Sequence, residues 1–218
     1  MKRSIAEVIA EYGPLADTEQ VGGVSYDGEN VWVATGDRLD ALDPASGKRR
    51  RSLDMAAHGG TAFDGKHLFQ ISENLIRKID PASGQVLATI PAPSGDGDNS
   101  GLAWAEGSLW VGQYHGRKII QIDPETGNIL RTIESSRFVT GVTWVEGELW
   151  HATLEDDRSD LRHIDPGTGE VLELLDMPPG LMVSGLESDG GDLFFCGGAK
   201  SGKLRAVRRP IPPRSPAA

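Results

Sequence analysis

Apolar residues in this chain come in short runs that alternate with turn-forming residues and never sustain the spacing of a helix. Val31-Trp32-Val33, Leu68-Phe69, Leu109-Trp110-Val111, Leu149-Trp150 and Leu193-Phe194 are β-branched or aromatic, bounded by Gly, Asp and Asn, and too short for helices. The first four each follow an acidic-Gly turn: Asp27-Gly28, Asp64-Gly65, Glu106-Gly107 and Glu146-Gly147. Ahead of each turn stands glycine, an apolar residue, a small residue and an aromatic, beginning at Gly23, Gly60, Gly101 and Gly141, with a degenerate copy at Gly185. The intervals between these glycines are 37, 41, 40 and 44 residues, close to the ~40–45 of a propeller blade. Further along each unit lies apolar-Asp-Pro-x-Ser/Thr-Gly, at Leu42 to Gly47, Ile79 to Gly84, Ile122 to Gly127 and Ile164 to Gly169. Proline presets φ for a type I turn there, and the closing glycine supplies a left-handed residue.

Each unit therefore predicts four antiparallel strands, A to D, and the whole predicts an all-β, five-bladed propeller in one domain spanning residues 1–209. An open sandwich would explain the strands but not the period. The fifth unit runs out after its C strand near Leu204 to Val207, into a Pro-rich segment. Val8-Ile9-Ala10-Glu11-Tyr12 reads like the D strand Val86 to Ile90, so residues 1–12 are expected to close the ring as the outer strand of blade five. Residues 210–218 are expected to be a disordered tail.

Charge narrows the partners. With 22 Lys and Arg against 32 Asp and Glu, the formal net charge is -10, which argues against a hold on nucleic-acid backbones. One cysteine, Cys196, rules out an intrachain disulfide framework and reads as a buried, inert thiol. No apolar stretch approaches the ~18 residues of a membrane span, and a cytoplasmic location is expected.

The A–B and C–D turns repeat the same Asp, Pro and Gly chemistry from blade to blade, whereas the B–C loops and D–A connections vary. Binding residues gather on variable loops over a rigid scaffold, which puts any site at the B–C and D–A end of the central channel. Comparing blades within the chain exposes the odd residues. Two places before the leading glycine stand Val21, His58, Asn99, Val139 and Val183; at the third B-strand position Val33, Gln70, Val111, His151 and Phe195; at the third A-strand position Ser25, Ala62, Ala103, Thr143 and Glu187. His58, His151 and Glu187 are the expected catalytic groups. Glu19, Gln20, Asn99, Gln113, Tyr114, His115 and Arg137 are expected to bind ligand, with Glu155 and Lys200 nearby and Glu155 to Arg158 a solvated loop. The columns Trp32, Phe69, Trp110, Trp150, Phe194 and Tyr26, Phe63, Trp104, Trp144 recur in register and are expected to pack between blades.

Three chemistries are open to this set: acid–base catalysis by a His/Glu pair, a divalent cation held by His, Asn and carboxylates, or binding without reaction. The stretch Asp96 to Gly101 is superficially calcium-like but lacks EF-hand spacing. No metal ligands are assigned, and any cofactor is left unknown.

The blade text Gly23 to Val33, followed by Leu42-Asp43-Pro44-Ala45-Ser46-Gly47, resembles the repeats of glutamine cyclotransferase-like and streptogramin (virginiamycin B) lyase-like propellers over nearly the whole chain. Five blades fit the glutaminyl-peptide cyclotransferases of plant and bacterial type; the lyases have seven and use a His/Glu pair with magnesium. That resemblance implies a small molecule or peptide terminus as ligand, and an acyltransferase or lyase if the chain is an enzyme. The cyclotransferase wording resembles Phe-Thr-Gln-Gly-Leu and Tyr-Glu-Ser-Thr-Gly, where this chain has Thr18 to Gly23 and Trp32 to Gly36. Val33 falls at the position of the family's acid–base Glu, so cyclisation would need Glu19 or Glu187 instead. The alternatives are a non-catalytic interaction scaffold and a metal-dependent lyase or hydrolase.

Overall fold

The computed structural model describes residues 1–93 and 99–210; the calcium-like stretch and the tail fall largely outside them. Among the described residues there are twenty-one strands and no helix, so no helix is long and apolar enough to cross a membrane. Two strands precede the first blade, β1 (Lys2–Ile5) and β2 (Val8–Tyr12). Blade one is β3 (Val24–Tyr26), β4 (Val31–Ala34), β5 (Gly36–Leu42) and β6 (Arg49–Ala57); blade two is β7 (Thr61–Phe63), β8 (Leu68–Ser72), β9 (Leu75–Ile79) and β10 (Val86–Pro91). Blade three is β11 (Asn99–Ala105), β12 (Ser108–Gln113), β13 (Lys118–Ile122) and β14 (Ile129–Glu134). Blade four is β15 (Phe138–Val145), β16 (Glu148–Glu155), β17 (Arg158–Ile164) and β18 (Val171–Asp176), and blade five has β19 (Gly185–Ser188), β20 (Leu193–Gly197) and β21 (Leu204–Arg208).

Blade five takes its fourth strand from β2, antiparallel to β21 with Val8 opposite Val207 and Tyr12 opposite Leu204. The expected ring closure is thus present, but residues 1–12 do not form one strand. Instead, β1 runs parallel to β18, Lys2 opposite Glu173 and Ile5 opposite Asp176, and gives blade four a fifth strand. Between the two pairings Ala6 is buried and donates its N–H to Asp176 at 2.8 Å, while Glu7 accepts from Arg208 N at 2.9 Å. One short segment therefore ties blade four to blade five.

At the hub the leading glycines touch backbone to backbone. A Cβ on Gly60 would lie 2.3 Å from Leu102 N, one on Gly101 2.8 Å from Val142 N, and one on Gly141 2.5 Å from Leu186 N. On Gly185 it would meet Gly22 O at 2.4 Å, and on Gly23 it would meet Gly60 Cα at 2.6 Å, so the contacts run round the ring and close. Outside the hub, inter-blade faces are filled by the aromatic columns. Trp32, Phe69, Trp110, Trp150 and Phe194 are at most 1% exposed. Trp104 stacks on Phe69 at 5.4 Å, Trp144 lies against Trp110 at 5.5 Å, and Tyr26 lies against Phe195 at 5.7 Å.

The C–D turns are fixed by their aspartates. Asp43 Oδ1 accepts from Ala45 N, Ser46 N and Ser46 Oγ at 2.7–3.0 Å, and Asp80, Asp123 and Asp165 repeat the arrangement. These bonds to the charged form hold all four carboxyls below the usual range, Asp43 at about 2. In blade four, Glu155 pairs with Arg158 across a two-residue turn, with Asp156 and Asp157 at φ 50° and 57°. The stretch expected as a solvated loop is exposed from Asp156 to Arg158, and it is a tight turn closing a lengthened hairpin.

Deleting residues 1–5 should lower the melting temperature by a few degrees, since blade four keeps its four antiparallel strands. Deleting residues 1–12 should lower it by more than ~10 °C, because blade five loses its outer strand. Gly60→Ala should cost on the order of 3 kcal/mol or more, because its methyl group meets backbone that cannot step aside. Thermal and denaturant melts read all three.

Candidate functional site

The end of the channel carrying the B–C loops and D–A connections holds a cavity of about 300 Å³. The residues immediately before the hub glycines, Gly22, Gly59, Ser100, Thr140 and Ser184, all line it. So do Gln20, His58, Asn99 and Tyr114. His58 reaches the cavity because β6 ends at Ala57 and the chain turns directly into the next hub glycines. Asn99 begins β11, donates to Pro93 O at 3.3 Å and accepts from Gln113 Nε2 at 3.1 Å. Gln113 is fully buried and does not line the cavity, so it positions the Asn99 amide from behind. Tyr114 stacks on Phe138 at 4.7 Å, with His115 edge-on to it at 5.0 Å. Thr140 Oγ1 is buried in the same wall without a partner among the described residues, and Ser184 Oγ is committed to Val21 O and Ala199 N.

Other expected residues lie elsewhere. Glu19 and Lys200 are exposed beside the cavity and do not line it. Arg137 is turned toward blade four, where it donates to Asp160 Oδ2 at 2.7 Å and to the carbonyls of Glu155 and Arg158 at 2.9 Å. Glu155 accepts from Arg117 at 2.8 Å.

The three expected catalytic residues do not converge. His151 sits in the middle of β16, opposite Val142 on one side and Arg162 on the other, 1% exposed. Its ring belongs to a buried polar layer with Thr153, Asp160 and Arg162, in which Thr153 and Arg162 each donate to Asp160 at 2.7 Å. Burial, helped by the Arg162 charge and opposed by Asp160, pushes the His151 imidazole down to about 4, and Nδ1 has no partner among the described residues. The residue is a neutral member of the blade wall.

Glu187 faces the opposite end of the channel. It lines a separate cavity of about 360 Å³ with Gly28, Glu146 and Ser188 to Gly190, residues of the A–B turns. Its Oε1 accepts from Ser188 N at 2.8 Å and pairs with the Thr143 hydroxyl. Desolvation pushes the carboxyl up to about 8 against those two bonds.

Among the described residues no group of three or more His, Cys, Asp or Glu is placed to share a metal ion. Cys196 is buried, and burial raises its thiol to about 12, so it has no nucleophilic character near neutrality.

No protein-family model and no curated protein matches the sequence. Among solved structures, the crystal structure of the glutaminyl cyclase of Myxococcus xanthus is similar over 95% of this chain and 97% of that one, with a TM-score of 0.78 and 21% identity. The fold is that of a glutaminyl cyclase. Within this propeller Val33 is fully buried among the apolar residues packed between blades one and five. The sequence comparison of blades missed Ser100, Thr140 and Ser184, although three small hydroxyl residues recurring just before the hub glycine were a readable signal.

His151 folds neutral with its pKa below the unfolded value of 6.5, so protons bind the unfolded chain first and stability falls as pH drops from about 6.5 to about 4. Replacing it in His151→Leu should flatten the melting curve's pH dependence across that window. For Glu187 the folded pKa lies above the unfolded 4.5, so the fold holds the extra proton and stability falls as pH rises from about 4.5 to about 8. Glu187→Gln should remove that decline, and melts at pH 5 and pH 8.5 compared with wild type will show it.

Proposed function

We propose that this propeller binds a small polar molecule or the end of a peptide chain in the cavity at the D–A end of its channel, as a divergent glutamine cyclotransferase-like protein. The observation that carries the reading is the convergence there of Gln20, His58, Asn99 and Tyr114 over a floor of small residues, with Thr140 Oγ1 in the wall unpaired among the described residues. Amide, hydroxyl and imidazole groups suit a polar ligand, and buried Gln113 fixes the direction in which Asn99 presents its amide. The likeness to a glutaminyl cyclase supports a peptide end with a glutaminyl residue as the first ligand to try. Among the described lining residues there is no carboxylate, so proton transfer at this cavity falls to His58, whose imidazole is suited to accept and return a proton. Neither His151 nor Glu187 reaches it.

A short peptide beginning with glutamine, and the same peptide beginning with 5-oxoproline, should give saturable heats of binding by calorimetry. His58→Ala and Asn99→Ala should each weaken binding at least ~10-fold, about 1.4 kcal/mol, with little change in melting temperature. No binding of either peptide, or binding indifferent to both substitutions, would overturn the reading.

A further inference from the structure

The A–B end of the channel carries a second cavity unlike the first. Its wall includes Tyr26, Phe63, Trp104 and Trp144, one aromatic from each of blades one to four, all at the fourth A-strand position. Blade five breaks the pattern, with Ser188 at the corresponding position and a carboxylate, Glu187, just before it. All four aromatics are half-buried, which leaves part of each ring to the cavity while the rest packs on the neighbouring blade.

Among the described residues Glu187 has no basic partner. Its Oε1 is taken by Thr143 and Ser188, and Oε2 makes no hydrogen bond among the described residues. The other acids at this opening are differently placed. Glu146 is paired with Arg209 at 2.9 Å, and Asp189 accepts from the backbone of its own turn at Gly191 and Leu193. Asp27, at the equivalent turn of blade one, is engaged by Trp32 Nε1 and Asn30. Glu187 is the acid of this lining that has neither a basic partner nor a turn of its own to cap, and it stands on an aromatic-walled cavity in a chain of net charge -10.

We propose that this second cavity binds an organic ammonium cation, with Glu187 as its counter-ion and the aromatic ring around the opening as its wall. A hard metal ion wants several oxygen ligands and would find one carboxylate among hydrocarbon rings. An alkylated ammonium is weakly hydrated, is attracted to aromatic π-systems, and needs only one opposite charge. The surrounding acids and the overall negative charge raise the local concentration of any cation at this opening. The volume of about 360 Å³ admits a small ammonium or the methylated end of a longer chain. This inference is independent of the first cavity, which lies at the other end of the channel and lacks a carboxylate.

Choline and its uncharged carbon analogue, 3,3-dimethylbutan-1-ol, separate charge from shape. Titrated into the full-length protein at pH 9, where the Glu187 carboxyl is ionised, and followed by calorimetry or tryptophan fluorescence, choline should bind saturably and at least tenfold more tightly than the neutral analogue. Glu187→Gln, which keeps the shape and folds without a buried acid, should lose that preference. No choline binding, equal binding of the two probes, or an unchanged preference in Glu187→Gln would overturn the proposal, and none of these outcomes bears on peptide binding at the D–A end.

Discussion

Five α-carbons without side chains set the radius at which the blades of this protein meet. Where Gly23, Gly60, Gly101, Gly141 and Gly185 approach one another, a single methyl group would fall within 2.3–2.8 Å of the next blade's backbone. Interiors at crystal-like density have no slack to absorb that overlap. Everything at larger radius follows from this tight hub. The A strands converge there, the B-strand aromatics fill the widening space between sheets, and the channel narrows to the point where the residues just before the glycines can form the floor of a cavity.

The two ends of that channel differ because strand direction carries different residues to each. Residues that precede the glycines come from connections of unequal length and bring amides, hydroxyls and His58 to one end. Residues that follow them come from short A strands ending in stereotyped turns, and they bring rings and one acid to the other. The wall between is largely apolar, and where polar groups enter it between blades three and four, Thr153 and Arg162 bond to Asp160 while His151 stands beside them as a buried ring. Such a layer is tolerated because Arg162 and Thr153 keep the Asp160 charge fully bonded.

Much of the fold was legible in the sequence because a repeat displays its own design several times. The 37–44-residue period, the Asp-Pro turns and the missing last strand together specified five blades and a closure by the chain's beginning. What escaped were features that occur once. Nothing in Lys2 to Ile5 repeats elsewhere, so its parallel pairing with β18 has no template to be recognised by. The extra residues in blade four lengthened paired strands instead of a loop, a choice made by the tight Asp156-Asp157 turn. For the sites, comparing columns identified which residues were unusual but not their height along the axis. His58 stands two residues before its hub glycine and Glu187 two after, and four residues of strand span roughly 13 Å, enough to separate the two ends of a thin disc. His151 failed for a different reason: parity along β16 aims it, like Leu149, at the neighbouring blade, and burial there keeps it neutral.

The staple made by residues 2–12 also dictates a timetable. These residues are synthesised before any strand of the blades they join, yet β1 needs β18 and β2 needs β21, whose Leu204 to Arg208 form the last strand among the described residues. During translation the early segment must wait, unpaired, while blades one to three assemble from local hairpins. Until Leu204 to Arg208 are available the assembling ring stays open, with a free edge at either end, and their pairing with Val8 to Tyr12 is what allows the circle to shut.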